Sequence, residues 1–265
     1  MSDIRALLQP LIYTAVRAGG AIMAVYGTDF SVRDKADASP VTEADEAAEK
    51  IILADLAQLA PGIPVVAEES VAAGRVPALS GHASERFFLV DPLDGTREFV
   101  SHRDEFTVNI ALVEAGKPVL GIVYAPARHE LYWGDVNGSQ AGKVDGDPDG
   151  TMPSMGVAIS ARQAPAAGLT AVASRSHRSP ETDTFLARYP VTEFRSIGSS
   201  LKFCLVASGE ADIYPRLGTT MEWDTAAGQA VLAAAGGRVT GLDGEPFTYG
   251  KPGFKNGHFV AWGRS

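Results

Sequence analysis

Asp91-Pro92-Leu93-Asp94-Gly95-Thr96 sets two carboxylates and a hydroxyl in one tight turn at the end of the apolar run Phe87-Phe88-Leu89-Val90. Such a run reads as a strand buried on both faces, so the acids stand where it leaves the core, the place at which open α/β sheets bind ligands. Two more apolar segments end in acids: Val65-Val66-Ala67 runs into Glu68-Glu69, and Asp224 follows Trp223 ahead of Thr225-Ala226-Ala227-Gly228. If Glu68, Asp91, Asp94 and Asp224 gather, each pair about 4 Å apart repels by roughly 4 kcal/mol at an effective dielectric near 20. Protons or cations must then intervene. Ligands that are all oxygen point to a hard cation, and contact with a phosphate through a partly hydrated ion favours Mg²⁺ over Ca²⁺. Zinc patterns are absent, the 5 histidines being scattered.

These acids need elements to hold them. Ile4, Leu7, Leu8, Leu11, Ile12, Ala15 and Val16 recur at helical spacing, as do Ala48, Ile51, Ile52, Leu56 and Leu59, which predicts two amphipathic helices covering a sheet. Three strands follow over Thr107 to Val113, Val119 to Tyr124 and Glu130 to Trp133, an antiparallel meander broken by Gly116-Lys117-Pro118 and Ala125-Pro126. The Gly-, Asp- and Pro-rich stretch from Gly134 to Gly156 reads as a mobile surface connection. Strand and helix then alternate through Thr170 to Ala173, Pro180 to Tyr189, Val191 to Ser196, Leu201 to Ser208, Ala211 to Tyr214, Thr225 to Ala235, Arg238 to Thr240 and Phe259 to Trp262. Burying all of them takes both faces of a sheet.

Each candidate also has a purely structural reading. Asp-Gly is a common turn dipeptide. Thr42-Glu43-Ala44-Asp45 fits a capping box, with Asp45 reaching back to the N-cap backbone. Asp224 suits the first turn of a helix, where the dipole favours an acid, and Thr96 suits a turn hydroxyl bound to nearby backbone.

Glu68-Glu69, Asp91-Pro92-Leu93-Asp94-Gly95-Thr96 and Trp223-Asp224-Thr225-Ala226-Ala227-Gly228 resemble, in order and separation, the three signatures of the inositol monophosphatase superfamily of magnesium-dependent, lithium-sensitive phosphatases. Within it the chain is most similar to the bacterial CysQ-type 3'(2'),5'-bisphosphate nucleotidases. Ser39-Pro40-Val41-Thr42, Glu105 to Leu112, Ser174-Arg175-Ser176-His177 and Ser196 to Cys204 carry that likeness. It spans nearly the whole chain and implies an α/β (α+β) fold, a layered αβαβα sandwich forming a single domain over 1–265 with two closely joined lobes and a boundary near 150.

The resemblance further implies that Glu68, Asp91 and the carbonyl of Leu93 bind one Mg²⁺, and Asp91, Asp94 and Asp224 a second. A third, weaker ion would be held through Glu68 and waters, and Mn²⁺ would substitute. Thr96 paired with Asp45 would orient and deprotonate the attacking water, with no covalent phosphoenzyme. The amides of Gly95 and Thr96, opening a short helix, would receive phosphate oxygens, and His177, Ser199, Lys202 and Arg216 would hold the base, the ribose and the uncleaved phosphate. Without the resemblance, Lys202 and Arg216 read as solvated charges, His177 as a loop residue and Ser199 as a helix cap. Two positions depart from the pattern: Arg97 stands where these nucleotidases often have lysine, and Glu222 stands before Trp223 where an apolar residue is more usual. The reaction implied is hydrolysis of adenosine 3',5'-bisphosphate to AMP and phosphate, and of 3'-phosphoadenylyl sulfate, in sulfur assimilation. Inositol monophosphatase and fructose 1,6-bisphosphatase activities are alternatives, as is a non-catalytic sensor of metal and nucleotide.

Composition agrees with a compact enzyme. The 265 residues, 45% of them hydrophobic, can bury a sizeable core, and no low-complexity linker divides them. No basic leader followed by an apolar stretch is expected at the start, nor any segment apolar enough to cross a membrane. The single cysteine, Cys204, cannot form an internal disulfide and reads as a buried apolar thiol. A reducing cytoplasm fits, with loose attachment to the inner membrane and a homodimer both left open. A net charge of -9 argues against nucleic-acid polymers as partners, so a small phosphorylated nucleotide would rely on local cations.

Overall fold

The computed structural model describes residues 4–34, 40–79, 85–145, 155–173 and 179–264. Helices α1 (Ile4–Tyr26) and α2 (Glu43–Leu59) pack side by side, joined by a two-stranded ribbon of β1 (Val32–Asp34) and β2 (Pro40–Thr42). Their apolar stripes, including Leu11, Ile12, Ala15, Val16, Ile22, Ala48, Ile52 and Leu56, cover one face of a seven-stranded sheet. Contrary to the sequence reading, the stretch Arg5–Tyr26 is long and apolar enough to cross a membrane; here α1 is a core helix whose apolar side lies on α2 and the sheet. It also runs past Val16 through Gly19, where a Cβ would collide with the Tyr124 ring, so glycine is required by close packing there.

The large sheet follows chain order: β3 (Val65–Ala67), β4 (Arg86–Asp94), β5 (Thr107–Glu114), β6 (Lys117–Ala125), β7 (Glu130–Asp135), β8 (Gln140–Asp145) and β9 (Val157–Ala158). β3 and β4 are parallel and the remaining pairs antiparallel, so the expected meander is present within a wider sheet. Where it is described, the stretch from Gly134 to Gly156 is not the loose connection expected. It carries β8, and Gly142, which resembles a breaker in the sequence, sits opposite Trp133, whose indole fills the space a Cβ would need; residues 146–154 lie outside the described set.

The second half forms a five-stranded sheet in the order β11 (Val191–Ser196), β10 (Leu169–Ala173), β12 (Ile213–Arg216), β14 (Phe259–Trp262), β13 (Arg238–Gly241). Helices α6 (Leu201–Ala207) and α7 (Ala226–Ala234) lie between the two sheets, in a core that joins Phe87, Leu89 and Val123 of the first to Val172, Tyr214 and Phe259 of the second. α5 (Pro180–Leu186) covers the outer face of the second sheet through Phe185 and Leu186. The layers therefore run αβαβα, as the resemblance implies. Burying each such Leu, Ile or Phe contributes roughly 1.5–3 kcal/mol, so these two interlayer cores dominate stability. Gly121 and Gly134 let α7 lie flat on the large sheet: a Cβ on either would strike the helix at Ala227, Ala230 or Val231. Cys204 is fully buried in the middle layer, and burial pushes its thiol pKa well up.

Candidate active site

β3 and β4 run parallel, so Glu68, which opens the short helix α3 (Glu68–Ala72), and the Asp91–Thr96 turn leave the sheet at the same end. Residues three apart on a strand face opposite ways, and Asp91 and Asp94 would diverge in a regular β4. They do not, because the pairing with β5 slips: Asp91 lies opposite Asn109 and Asp94 opposite Thr107, three steps on one strand against two on the other. This bulge turns both acids to the face of Thr107 and Asn109, toward the middle helical layer, and Pro92, which has no N–H to donate, sits within it. Gly95 follows with φ +91°, a left-handed turn that L side chains disfavour, and Thr96–Val100 then form the single-turn helix α4.

From the other side come the residues preceding α6 and α7. Ser199 has φ +56°, and its Oγ donates to Asp94 Oδ2 at 2.7 Å and contacts Thr107 Oγ1. Ser200 Oγ also reaches Asp94 Oδ2, at 3.0 Å, and receives a hydrogen bond from Asn109 Nδ2. Asp224 spends Oδ2 on the Met221 N–H, 2.8 Å away. Glu68, Asp94, Gly95, Thr96, Ser199, Lys202, Arg216 and Asp224 thereby line one cavity of about 380 Å³, together with Arg97, Ser200 and Tyr214. Burial first, then the charges of Asp94 and Glu68, push the Asp224 carboxyl well above the usual carboxylate range.

Asp91, Leu93 and Asp45 stand behind the cavity wall. Asp91 is 2% exposed, with Oδ1 accepting from the Leu93 N–H at 3.0 Å, so only the rest of its carboxylate can turn toward the cavity. Asp45 serves both of the roles read for it. Oδ2 closes the capping box on the Thr42 N–H and hydroxyl at 2.8 and 2.7 Å, while Oδ1 lies 3.3 Å from Thr96 Oγ1. Thr96 Oγ1 is also 3.2 Å from the Leu93 carbonyl, combining the turn reading with the functional one.

Lys202 is no solvated surface charge. It is 5% exposed, its Nζ donates to the carbonyls of Ile197 and Ser199, and it stands over the Tyr214 ring at 5.5 Å. Burial pushes its pKa down to about 8, against the raising influence of Asp94. Arg216 is half-buried, donating from Nη2 to the Thr219 carbonyl while its buried Nε has no hydrogen-bond partner among the described residues. Ser199 is not the cap of α6, a position held by Ser200. His177, Ser39 and Ser174 to Ser176 lie outside the described residues. Sequence reasoning missed Ser200, Thr107 and Asn109, although a signal existed. In the doubly buried run Thr107-Val108-Asn109-Ile110-Ala111, the two polar residues at i and i+2 share a face that burial alone would make apolar.

The donor set fits Mg²⁺: every candidate ligand is a carboxylate or carbonyl oxygen, and after burial the charges of Asp94 and Glu68 add to the raised pKa of Asp224. Among the described residues, no group of three or more acids is already gathered closely enough to hold a metal ion; Glu68, Asp94 and Asp224 share the lining of one cavity.

The model of the inositol monophosphatase family matches residues 3–262. The chain belongs to this family. The 3'(2'),5'-bisphosphate nucleotidase CysQ of Shigella flexneri is 45% identical over 245 residues, covering 92% of this chain and 94% of that one. Its counterpart in Escherichia coli strain K12 is 44% identical over the same spans. Among solved structures, CysQ from Bacteroides thetaiotaomicron, a bacterial member of the inositol monophosphatase family, is similar with a TM-score of 0.80 at 37% identity, covering 99% and 98% of the two chains. The inositol monophosphatase from Anabaena gives 0.73 at 25% identity, covering 100% and 93%. The family and the layered fold read from three short motifs are thus borne out over the full length.

Proposed function

We propose that this family member is a Mg²⁺-dependent phosphatase that removes the 3'-phosphate of adenosine 3',5'-bisphosphate, giving AMP and inorganic phosphate, and that it also accepts 3'-phosphoadenylyl sulfate. The supporting observation is that one cavity is lined both by three acids, Glu68, Asp94 and Asp224, and by a separate cationic pair, Lys202 and Arg216. A substrate with a single phosphate would leave buried Lys202 without an anion. A nucleotide with two phosphates satisfies both halves, and the identity to CysQ nucleotidases agrees.

In this reading Glu68, Asp91 and the Leu93 carbonyl hold one ion, Asp91, Asp94 and Asp224 a second, and Glu68 with waters a third; Mn²⁺ substitutes. Bound there, the ions supply an acidified water, charge neutralisation on the phosphate and stabilisation of the leaving oxygen. Thr96 Oγ1 takes the proton of the attacking water as its own passes to Asp45. The water oxygen bonds to phosphorus in line with the breaking P–O3' bond, and solvent protonates the departing 3'-oxygen. Gly95 and Thr96 offer amides to the transferred phosphate, and Ser199, Lys202, Arg216 and His177 hold the rest of the nucleotide. The chain works as one domain of two joined lobes in the cytoplasm, where buried Cys204 stays reduced. Phosphate release from adenosine 3',5'-bisphosphate, inositol monophosphate and fructose 1,6-bisphosphate, each with Mg²⁺ and with or without Li⁺, tests the reading. Fastest turnover of the nucleotide with loss in Li⁺ is expected; fastest turnover of inositol phosphate overturns the substrate.

Lys202 adds a pH signature. Its proton is present below about 8 and lost above, so kcat/KM for the bisphosphate falls on the alkaline side. Lys202→Met is expected to lower kcat/KM at pH 7 by about 10- to 100-fold, the worth of a charge-assisted hydrogen bond, and to abolish that alkaline fall. A pH profile that keeps its shape in the variant removes Lys202 from substrate binding.

A further inference from the structure

Glu222, the residue that departs from the apolar pattern before Trp223, is fully buried with both carboxylate oxygens engaged. Oε2 accepts from the Gly250 N–H at 2.8 Å, and Oε1 from the Lys251 N–H at 2.9 Å and from Lys251 Nζ at 2.7 Å. Lys251 is held in turn: its ammonium lies about 5.0 and 5.1 Å from the centres of the Phe247 and Tyr249 rings and donates to the Thr248 carbonyl. The Glu222 backbone continues the tie, with its N–H on the Phe254 carbonyl and its own carbonyl receiving the N–H groups of Thr225 and Ala226. Asn256 grips the same loop from its far end, donating from Nδ2 to the Met221 carbonyl at 2.7 Å and to the Thr225 hydroxyl at 3.0 Å.

All these bonds converge on residues 220–226, and of the loop residues that line the cavity, Thr220, Met221, Asp224 and Thr225, the acid is Asp224. An apolar residue would fill the same volume, but it would not fix direction. A carboxylate with three donors does, because rotating or sliding the loop breaks several charge-assisted bonds at once.

We propose that Glu222, held by Lys251 and the amides of residues 250 and 251, is a positioning residue that aims Asp224 at the metal site. This rests on the reading of Asp224 as a metal ligand. It goes beyond that reading in assigning metal affinity to a carboxylate that touches neither ion nor substrate.

The test is Mn²⁺ binding to the full-length protein without substrate, followed by titration calorimetry, alongside the thermal midpoint of the metal-free protein. Glu222→Gln is expected to weaken Mn²⁺ binding by about 10-fold or more, the size found when groups orienting metal ligands are lost. Its kcat is expected to return to within about threefold of the unmodified enzyme once Mn²⁺ saturates, the remainder being residual misalignment. Unchanged Mn²⁺ affinity with only a lowered midpoint overturns the proposal, since Glu222 then merely stabilises the fold. If Glu222→Gln does not fold, Lys251→Met decides. It takes one tether from the same carboxylate and leaves both amide bonds, so weaker Mn²⁺ binding supports the assignment and unchanged binding overturns it. Asp224→Asn separates the two readings: should it too bind Mn²⁺ normally, the metal site itself is misassigned, whereas loss in Asp224→Asn with none in the Glu222 and Lys251 variants defeats only the positioning role.

Discussion

Asp94→Asn is expected to reduce turnover at least about 1000-fold while leaving the metal-free protein no less stable. The substitution keeps shape and removes one negative charge. With one amide orientation the carbonyl stays on Ser199 and Ser200, whose hydroxyls both donate to Asp94 Oδ2, and the NH₂ group then faces the cavity and repels a cation. With the other, the NH₂ confronts two hydroxyl donors. Losing a charge interaction of roughly 4 kcal/mol corresponds to about three decades in rate. Stability moves the other way, because the Asp94 charge is one of the causes, after burial, that raise the Asp224 pKa, and its removal relaxes that repulsion. Phosphate release across a Mg²⁺ titration, with unfolding midpoints with and without Mg²⁺, checks both halves. Turnover within about tenfold of the unmodified enzyme would remove Asp94 from the reaction, since a charge that matters here is worth far more than 1.4 kcal/mol.

What the sequence makes legible is where strands and helices stop. Val65-Val66-Ala67 and Phe87-Phe88-Leu89-Val90 are apolar without interruption because both faces of the sheet are covered, so the acids after them could be placed at one edge. How those acids are aimed is not legible. The spacing of Asp91 and Asp94 implies opposite faces, and only the slip against Asn109 and Thr107 reverses this; Pro92 marks an irregularity in β4, but the register of the bulge belongs to the pairing of two strands. Lys202 shows the same limit. Its chain position suits a solvated helix surface, but Tyr214, from a strand beyond α6, roofs it over, and the carbonyls of Ile197 and Ser199 collect its protons. Within the stretch read as a mobile connection, Gly142 lies in β8 instead, its small size serving an indole across the strand pair. Local composition thus located the site, and tertiary partners set its charges.

Thr96→Val is expected to lower kcat by about 10²- to 10⁴-fold, the range for losing a positioned proton acceptor, with little change in KM or stability. Valine matches the shape of threonine and lies outside the capping box, so α2 keeps Thr42 and Asp45 bonded to each other. Asp45→Asn attacks the same relay from behind and carries a second cost: Oδ2 receives both the Thr42 N–H and its hydroxyl, and an amide cannot satisfy both the cap and Thr96 without presenting a donor to a donor. About 1 kcal/mol of helix stability should go with it, as for other N-terminal caps. The two side chains meet through the 3.3 Å contact of Thr96 Oγ1 with Asp45 Oδ1, so if they move one proton as a unit, the double variant falls no further in kcat than the worse single one. Stability then follows Asp45 alone, and activity follows either residue. Single-turnover rates and urea midpoints for the three variants read the two effects separately. Multiplying losses of activity in the double variant would mean that Thr96 and Asp45 act independently, leaving Asp45 to the capping role that its Oδ2 already performs.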